Sequence, residues 1–275
     1  MGRIEEALKR SRDSNKRAIR DENHSPVPIA EGINTLTHNI AVSELPVIVP
    51  DEEALEAYRV VAAQKDAPQR SAYKVLRTRI LQRLRASQFN VIGITGPGPG
   101  EGKTITAINL AYSLAQHVSH QVILADLDLR RPSIHRYLGI TPRHDLGDVL
   151  DGSSTLKDAL VCPNANRLAV LTCQTPRRDS SEILSSPEMV ELVEQFKGLG
   201  KKTITILDLP PVLAGDDVIA FTPLINALLL VVGQATCRRE DLIETQELLK
   251  DAEILGIILN RAQEKSAASG YYDYY

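Results

Sequence analysis

One stretch restricts the folds open to this chain more than any other. Residues 91–95, Val-Ile-Gly-Ile-Thr, are a short apolar run; Gly96-Pro97-Gly98-Pro99-Gly100-Glu101-Gly102-Lys103-Thr104 comes next, and an amphipathic stretch over 103–117 follows. Strand, glycine-rich loop and helix in that order are the arrangement that cradles a phosphate. Small residues let the backbone curl until several N–H groups converge on one anion, and the helix adds its positive end. Lys103 is then placed to reach the β and γ phosphates, and the Thr104 hydroxyl to ligate Mg²⁺. The strict pattern has a glycine six residues before the lysine; Pro97 stands there, and the four surrounding glycines supply the freedom instead. Gly98, Pro99, Gly100, Glu101, Gly102, Lys103, Thr104 and Ile105 are the expected nucleotide contacts.

Beyond this loop, short apolar runs alternate with amphipathic helices. Strands are expected at 91–95, 121–125, 168–172, 203–207, 227–232 and 256–259, with helices at 103–117, 187–197 and 239–251 between them. The 187–197 helix has a legible start, with Ser186 as N-cap and Pro187 in the first turn. Continuous apolar strands are buried on both faces, so the alternation predicts an α/β fold: a P-loop NTPase with a doubly wound, mostly parallel sheet flanked by helices. Such sheets bind ligands at the carboxyl ends of their strands.

Residues 1–70 read differently. The first 20 carry seven Lys/Arg against three Asp/Glu with few apolar residues, 21–50 contain four prolines, and 51–65 predict a short helix. Residues 1–70 are therefore expected to be a helical and extended arm with a linker, 71–262 the P-loop domain, and 263–275 a flexible tail. Residues 71–86 predict a basic helix, with Tyr73, Leu76, Ile80 and Leu84 on one face. The formal charge of −3 argues against a nucleic-acid partner. No apolar run approaches the ~20 residues of a membrane span, and the three cysteines (Cys162, Cys173, Cys237) lack metal or disulfide spacing. A cytoplasmic protein with reduced thiols is the expectation.

Two acidic segments stand at strand ends: Asp126-Leu127-Asp128-Leu129-Arg130-Arg131-Pro132 and Asp208-Leu209-Pro210-Pro211. A carboxylate at the carboxyl end of a buried strand points into the phosphate crevice, where Mg²⁺ offsets its desolvation. Thr104, Asp126 and Asp208 are thus the expected metal-side residues. The tail carries four of the eight tyrosines, Tyr271, Tyr272, Tyr274 and Tyr275. A polar terminal segment has no core to pack these rings in, and it presents phenol oxygens as phosphoryl acceptors.

Taken together, GPGPGEGKT, DLDLRRP, LDLPPV, GIILN and the tyrosine cluster resemble the bacterial tyrosine kinases that regulate exopolysaccharide and capsule assembly, in their stand-alone cytoplasmic form. The resemblance spans about residues 71–262 and the tail. It implies that the first three motifs are the Walker A, Walker A′ and Walker B segments, and that Lys103, Asp126, Asp128 and Asp208 carry the catalysis. Lys103 and Thr104 would hold ATP and Mg²⁺, Asp126 and Asp208 would surround the metal and its waters, and Asp128 would assist deprotonation of the incoming tyrosine. Asn260 resembles a base-recognition position. The implied activity is autophosphorylation of the tail tyrosines, coupled to control of polysaccharide polymerisation and export.

The resemblance also implies partners: a membrane adaptor or co-polymerase that would hold the chain at the inner face of the membrane, further copies of the chain, and other tyrosine substrates. In the family a Glu-x-x-Arg-x-x-Arg helix is associated with ring assembly. Here Ser71, Lys74 and Arg77 stand at those positions, so the charged contact is only partly kept. Two other readings share the phosphate loop. A partition or division ATPase carries an additional lysine five residues before the loop lysine, where this chain has Gly98. A non-catalytic ATP-binding regulator of the polysaccharide machinery needs the loop but not the acceptor tail.

Overall fold

The architecture follows from where the apolar runs can hide. In the computed structural model the described residues are 40–262, apart from 65–66, 118, 165–166 and 235. The chain divides into Met1–Thr35 and Leu36–Tyr275, and only the second unit contains described residues. The basic arm over 1–20 and the four tail tyrosines lie outside them.

All six expected strands form: β1 (Val91–Thr95), β2 (Gln121–Asp126), β3 (Leu168–Leu171), β4 (Thr203–Asp208), β5 (Ala227–Gly233) and β6 (Ile254–Asn260). They make one sheet in the order β3-β2-β4-β1-β5-β6, and every pairing is parallel. Four longer helices flank it: α1 (Arg70–Ser87), α2 (Lys103–Ala115), α3 (Pro187–Gly198) and α4 (Arg239–Leu248). The start of α3 is as expected, since Ser186 Oγ accepts from Met189 N at 3.2 Å with Pro187 in the first turn.

Successive residues of each strand feed two separate cores. Ile92 and Ile94, Val122 and Leu124, and Ile204 and Ile206 pack with Ala107, Leu110 and Leu114 of α2. Val91, Ile123, Ala125 and Leu207 pack on the opposite face with Leu192, Val193 and Phe196 of α3. Phe196 is fully buried, and its truncation to alanine would cost about 3–5 kcal/mol. The period-two alternation carries one step further at the strand ends. Asp126 follows Leu124 by two and Asp208 follows Ile206 by two, so both fall on the α2 face, beside the phosphate loop.

Two expectations need correction. β6 is not buried on both faces: it is an edge strand, with Ile257 51% and Leu259 57% exposed. Its apolar composition matches that of its neighbours, but it lacks a strand on one side. The other concerns residues 40–64, read from the sequence as arm and linker. They pack onto the sheet: Val42 and Leu45 join the α3-side core, and Val60 and Ala62 the α2-side core. Buried Asn109 of α2 accepts from Ala62 N at 2.7 Å and donates to Arg59 O at 3.2 Å. The helix expected over 51–65 is shorter, Glu52–Ala57, capped by Asp51; Arg59 at φ +58° turns the chain out of helical geometry.

Candidate functional site

The sheet brings the phosphate loop and both acidic segments to one edge. Asp208 is in register with Ile94 of β1 and with Asp126 of β2, so the three strand ends lie side by side. The loop runs from Gly96 to the start of α2. Gly96 has no room for a side chain, because a Cβ there would lie 2.2 Å from Val231 O. Gly102 has φ +91°, and a Cβ there would meet the Asn260 amide at 2.0 Å. Pro99 and Gly100 are exposed at the tip, while Gly98, Gly102, Thr104 and Ile105 are half-buried. Ile105 lines the outer groove beside Gly100 and Gly102. Lys103 is buried, and its ammonium donates to Gly98 O at 3.1 Å. Burial lowers its pKa, while Asp208, Asp128 and Glu101 act to hold it up.

The aspartate pair is less settled. Asp126 Oδ2 accepts from Ser133 N at 2.8 Å and Ile134 N at 2.9 Å, the first amides of the helix Ile134–Leu138. Asp126 Oδ1 and both oxygens of Asp208 are buried with no partner in good hydrogen-bond geometry, the Thr104 hydroxyl acting on Asp208 only as an imperfectly aligned donor. Burial pushes both carboxyls above the usual carboxylate range; the negative charge of Asp208 adds to the shift at Asp126, while at Asp208 the Thr104 hydroxyl opposes it and the charge of Asp128 adds to it. Buried acceptor oxygens left this short of donors are a high-energy arrangement unless a cation or a better donor arrives. Ser133 Oγ donates to Thr104 Oγ1 at 3.4 Å, which brings the expected metal-binding hydroxyl into the same cluster. A hard, oxygen-seeking cation fits this donor set. Among the described residues no group of three or more His, Cys, Asp or Glu closes into a metal cage. Mg²⁺ shared with nucleotide phosphates does not need one.

Asp128 is half-buried, and its Oδ1 accepts from Arg131 N at 3.1 Å. Burial raises its pKa, opposed by that hydrogen bond and by the charge of Lys103. The segment carrying it is fixed by a partner that sequence reasoning missed. Arg130 donates through Nε to Asp217 Oδ1 at 3.3 Å and lies 3.0 Å from Oδ2 through its terminal nitrogen. Asp217 is 2% exposed and opens the helix Asp217–Phe221 beyond β4. The two-pronged contact ties the β2 loop to the β4 loop and so sets Asp128 relative to Asp208.

Residues 92–274 match the CbiA family, the CobQ/CobB/MinD/ParA nucleotide binding domain. The tyrosine-protein kinase YwqD of Bacillus subtilis is 32% identical over 203 residues, which cover 73% of this chain and 84% of that one. The chain belongs to the bacterial tyrosine-protein kinase family. The succinoglycan biosynthesis transport protein ExoP of Rhizobium meliloti is 31% identical over 205 residues, covering 71% of this chain but only 26% of ExoP. This chain thus spans about a quarter of the length of its longer relatives. Among solved structures, the chimerical protein CapA2B2 superposes with a TM-score of 0.68 at 25% identity, covering 81% of this chain and 96% of that one.

Within this kinase-family domain, the loop, Lys103, Thr104, Asp126, Asp128 and Asp208 come together as the sequence led us to expect. Asn260 comes to the loop as well, but its amide is already engaged: Nδ2 donates to Glu101 O at 2.9 Å, and Oδ1 accepts from Arg261 N at 2.9 Å. The Glu101 carboxylate turns into the protein rather than toward a ligand. Ser133, Arg130 and Asp217 are the residues that sequence reading missed. Ser133 was legible as the residue after Pro132 at a helix start; Asp217 had no local signal. Arg77, at the family's assembly position, donates to Ser113 O of α2 at 2.9 Å within its own subunit. Between α1, the Tyr58–Tyr137 ring stack (centroids 4.3 Å apart) and the β6 edge lies an open groove of about 1480 Å³. None of the helices among the described residues is long and apolar enough to cross a membrane.

Proposed function

We propose that this chain is an ATP- and Mg²⁺-dependent protein-tyrosine kinase that phosphorylates Tyr271, Tyr272, Tyr274 and Tyr275 and thereby regulates exopolysaccharide polymerisation and export. The observation that carries the reading is the set of poorly satisfied oxygens on Asp126 and Asp208, beside Thr104 and the buried Lys103. When bound, Mg²⁺ would neutralise charge at the β and γ phosphate oxygens, with Thr104 as ligand and Asp126 and Asp208 holding its waters. Loop N–H groups from Gly100 to Ile105 bind the phosphates, and Lys103 stabilises the charge of the departing phosphoryl group. Asp128 takes the proton of the attacking phenol, whose ordinary pKa near 10 keeps it protonated otherwise. Asn260 and Arg261 border the base end.

The proposed partners are a membrane adaptor or co-polymerase, which would hold the chain peripherally at the cytoplasmic face, and further copies of the chain. The 263–275 segment of one copy would reach a neighbour's crevice. Each phosphate adds about −1.5 to −2 charge, so successive transfers would loosen that assembly. Purified chain incubated with labelled ATP and Mg²⁺, with and without a candidate adaptor, tests the reading. Label on the tail, absent from Lys103→Met and from a chain truncated after Gly270, is the expected result. Nucleotide binding with no incorporation under any condition would replace the kinase by a non-catalytic regulator.

A further inference from the structure

Glu101 presents a paradox. It sits in the middle of the phosphate loop, 2% exposed, and brings a negative charge to a site built for a polyanion. The charge is close enough to act on the Lys103 ammonium. By Coulomb's law alone it weakens phosphate binding, and more so in a buried setting than in water. Something must offset that effect, and the hydrogen bonds show what does. Glu101 Oε2 accepts from Gly233 N at 2.7 Å, at the end of β5, while Oε1 accepts from Gly98 N at 3.3 Å across the loop. Its own carbonyl accepts from Asn260 Nδ2, and Gln234 N donates to Asn260 O at 3.0 Å. Gly102, at φ +91°, leaves the space that the Asn260 amide occupies.

We infer that Glu101 is a positioning residue: with Asn260 it clasps the phosphate loop to the ends of β5 and β6 and holds the anion cup in its binding shape before any ligand arrives. The inference rests on the nucleotide-site reading above and changes two of its assignments. Glu101 acts through the loop backbone rather than by touching nucleotide, and Asn260 serves the phosphate end of the site as well as the base end. Preordering matters because a loop that must curl on binding loses part of the interaction energy to ordering.

The clasp uses both carboxylate oxygens as acceptors, one for each backbone N–H, and the neighbouring Cys237 thiol is a further donor to the same group. Glu101→Gln has almost the same shape but only one acceptor oxygen, so its NH₂ group must face a backbone donor. The two accounts of Glu101 therefore predict opposite signs. A residue that merely contributes charge would, when neutralised, let polyanions bind more tightly. A clasp, when broken, would make them bind more weakly.

The experiment titrates full-length wild-type, Glu101→Gln and Asn260→Ala chains with Mg²⁺–ADP and with Mg²⁺–pyrophosphate at constant ionic strength, below the onset of unfolding as followed by circular dichroism. The expected result is roughly tenfold weaker binding of both ligands by Glu101→Gln, despite its lost negative charge. Asn260→Ala is expected to weaken pyrophosphate as well, although that ligand has no base to recognise. The double variant should lose less than the two single losses combined, as expected for partners in one network. Unchanged or tighter pyrophosphate binding by Glu101→Gln overturns the clasp. If that variant does not fold, Asn260→Ala decides alone: weaker pyrophosphate binding upholds the clasp and unchanged binding overturns it. Failure of the wild type to bind either ligand overturns the nucleotide site itself, and the clasp with it.

Discussion

The two halves of the crevice are built on opposite principles. On the loop side every prominent polar group is satisfied from within: Lys103 on Gly98 O, Glu101 on two amides, Asn260 on Glu101 O. On the strand side, Asp126 is half satisfied and Asp208 has no well-aligned donor, only the Thr104 hydroxyl acting on it. A loop of small residues has little shape of its own and must be held. A strand end is already rigid, so it can carry poorly satisfied carboxyls and leave the ligand to relieve them. Satisfied groups keep the cup open to phosphate, and unsatisfied ones make the cation favourable.

This contrast can be broken most severely at Lys103. Lys103→Met removes the one cation of the loop side, and phosphotransfer is expected to fall by about a thousandfold or more in a labelled-phosphate assay. The chain should remain folded, because the ammonium's partner, Gly98 O, is half-open to solvent. Asp208→Asn probes the other half and should separate activity from stability. Activity is lost, yet near neutral pH and above the ligand-free chain becomes more stable by roughly 1–2 kcal/mol, since a neutral amide replaces a carboxyl that burial penalises when it ionises.

The pH dependence follows the same logic. Asp126 and Asp208 have folded-state pKa values raised above the ordinary range by burial. Their contribution to stability is fully present below the unfolded-state values near 4 and is lost as pH rises through the raised folded values. Thermal denaturation of the ligand-free chain should show stability falling from mildly acidic pH toward neutrality, with a shallower slope in Asp208→Asn.

Smaller effects sharpen the comparison. Arg130→Ala leaves Asp217 buried without its cation; with Arg130 partly open to solvent, the loss is about 1–2 kcal/mol, or a melting point lower by roughly 3–6 °C. Phosphotransfer should fall further than stability does, because the Asp128 segment loses its anchor. Ser186→Ala, in the cap of α3 and away from the crevice, should cost about 1 kcal/mol and leave nucleotide affinity unchanged. A change in affinity there would mean that the crevice answers to global stability rather than to its own contacts.

Much of this was legible in the sequence. The six apolar runs, the phosphate loop and the terminal aspartates are local patterns whose period and chemistry identify them. What escaped is what depends on residues far apart in the chain. Glu101 meets Gly233 across 132 positions, and Arg130 meets Asp217 across 87, with no spacing rule to join them. The Ile257 and Leu259 run of β6 looks like a buried strand because composition records apolarity and not the number of neighbours. Residues 40–64 carry prolines and little periodicity, yet Val42, Leu45, Val60 and Ala62 are buried one at a time rather than as the face of an element.

The contrast between a finished loop and an unfinished carboxylate pair can be measured as protons. Preformed Mg²⁺–ADP is titrated calorimetrically into the native chain and into Asp208→Asn, at about pH 6.5, in two buffers of different ionisation enthalpy. Ligand binding should drive the raised carboxyls to ionise, so the native chain releases more protons per nucleotide bound than Asp208→Asn does. Equal release by the two chains, or net uptake by the native one, would contradict the account.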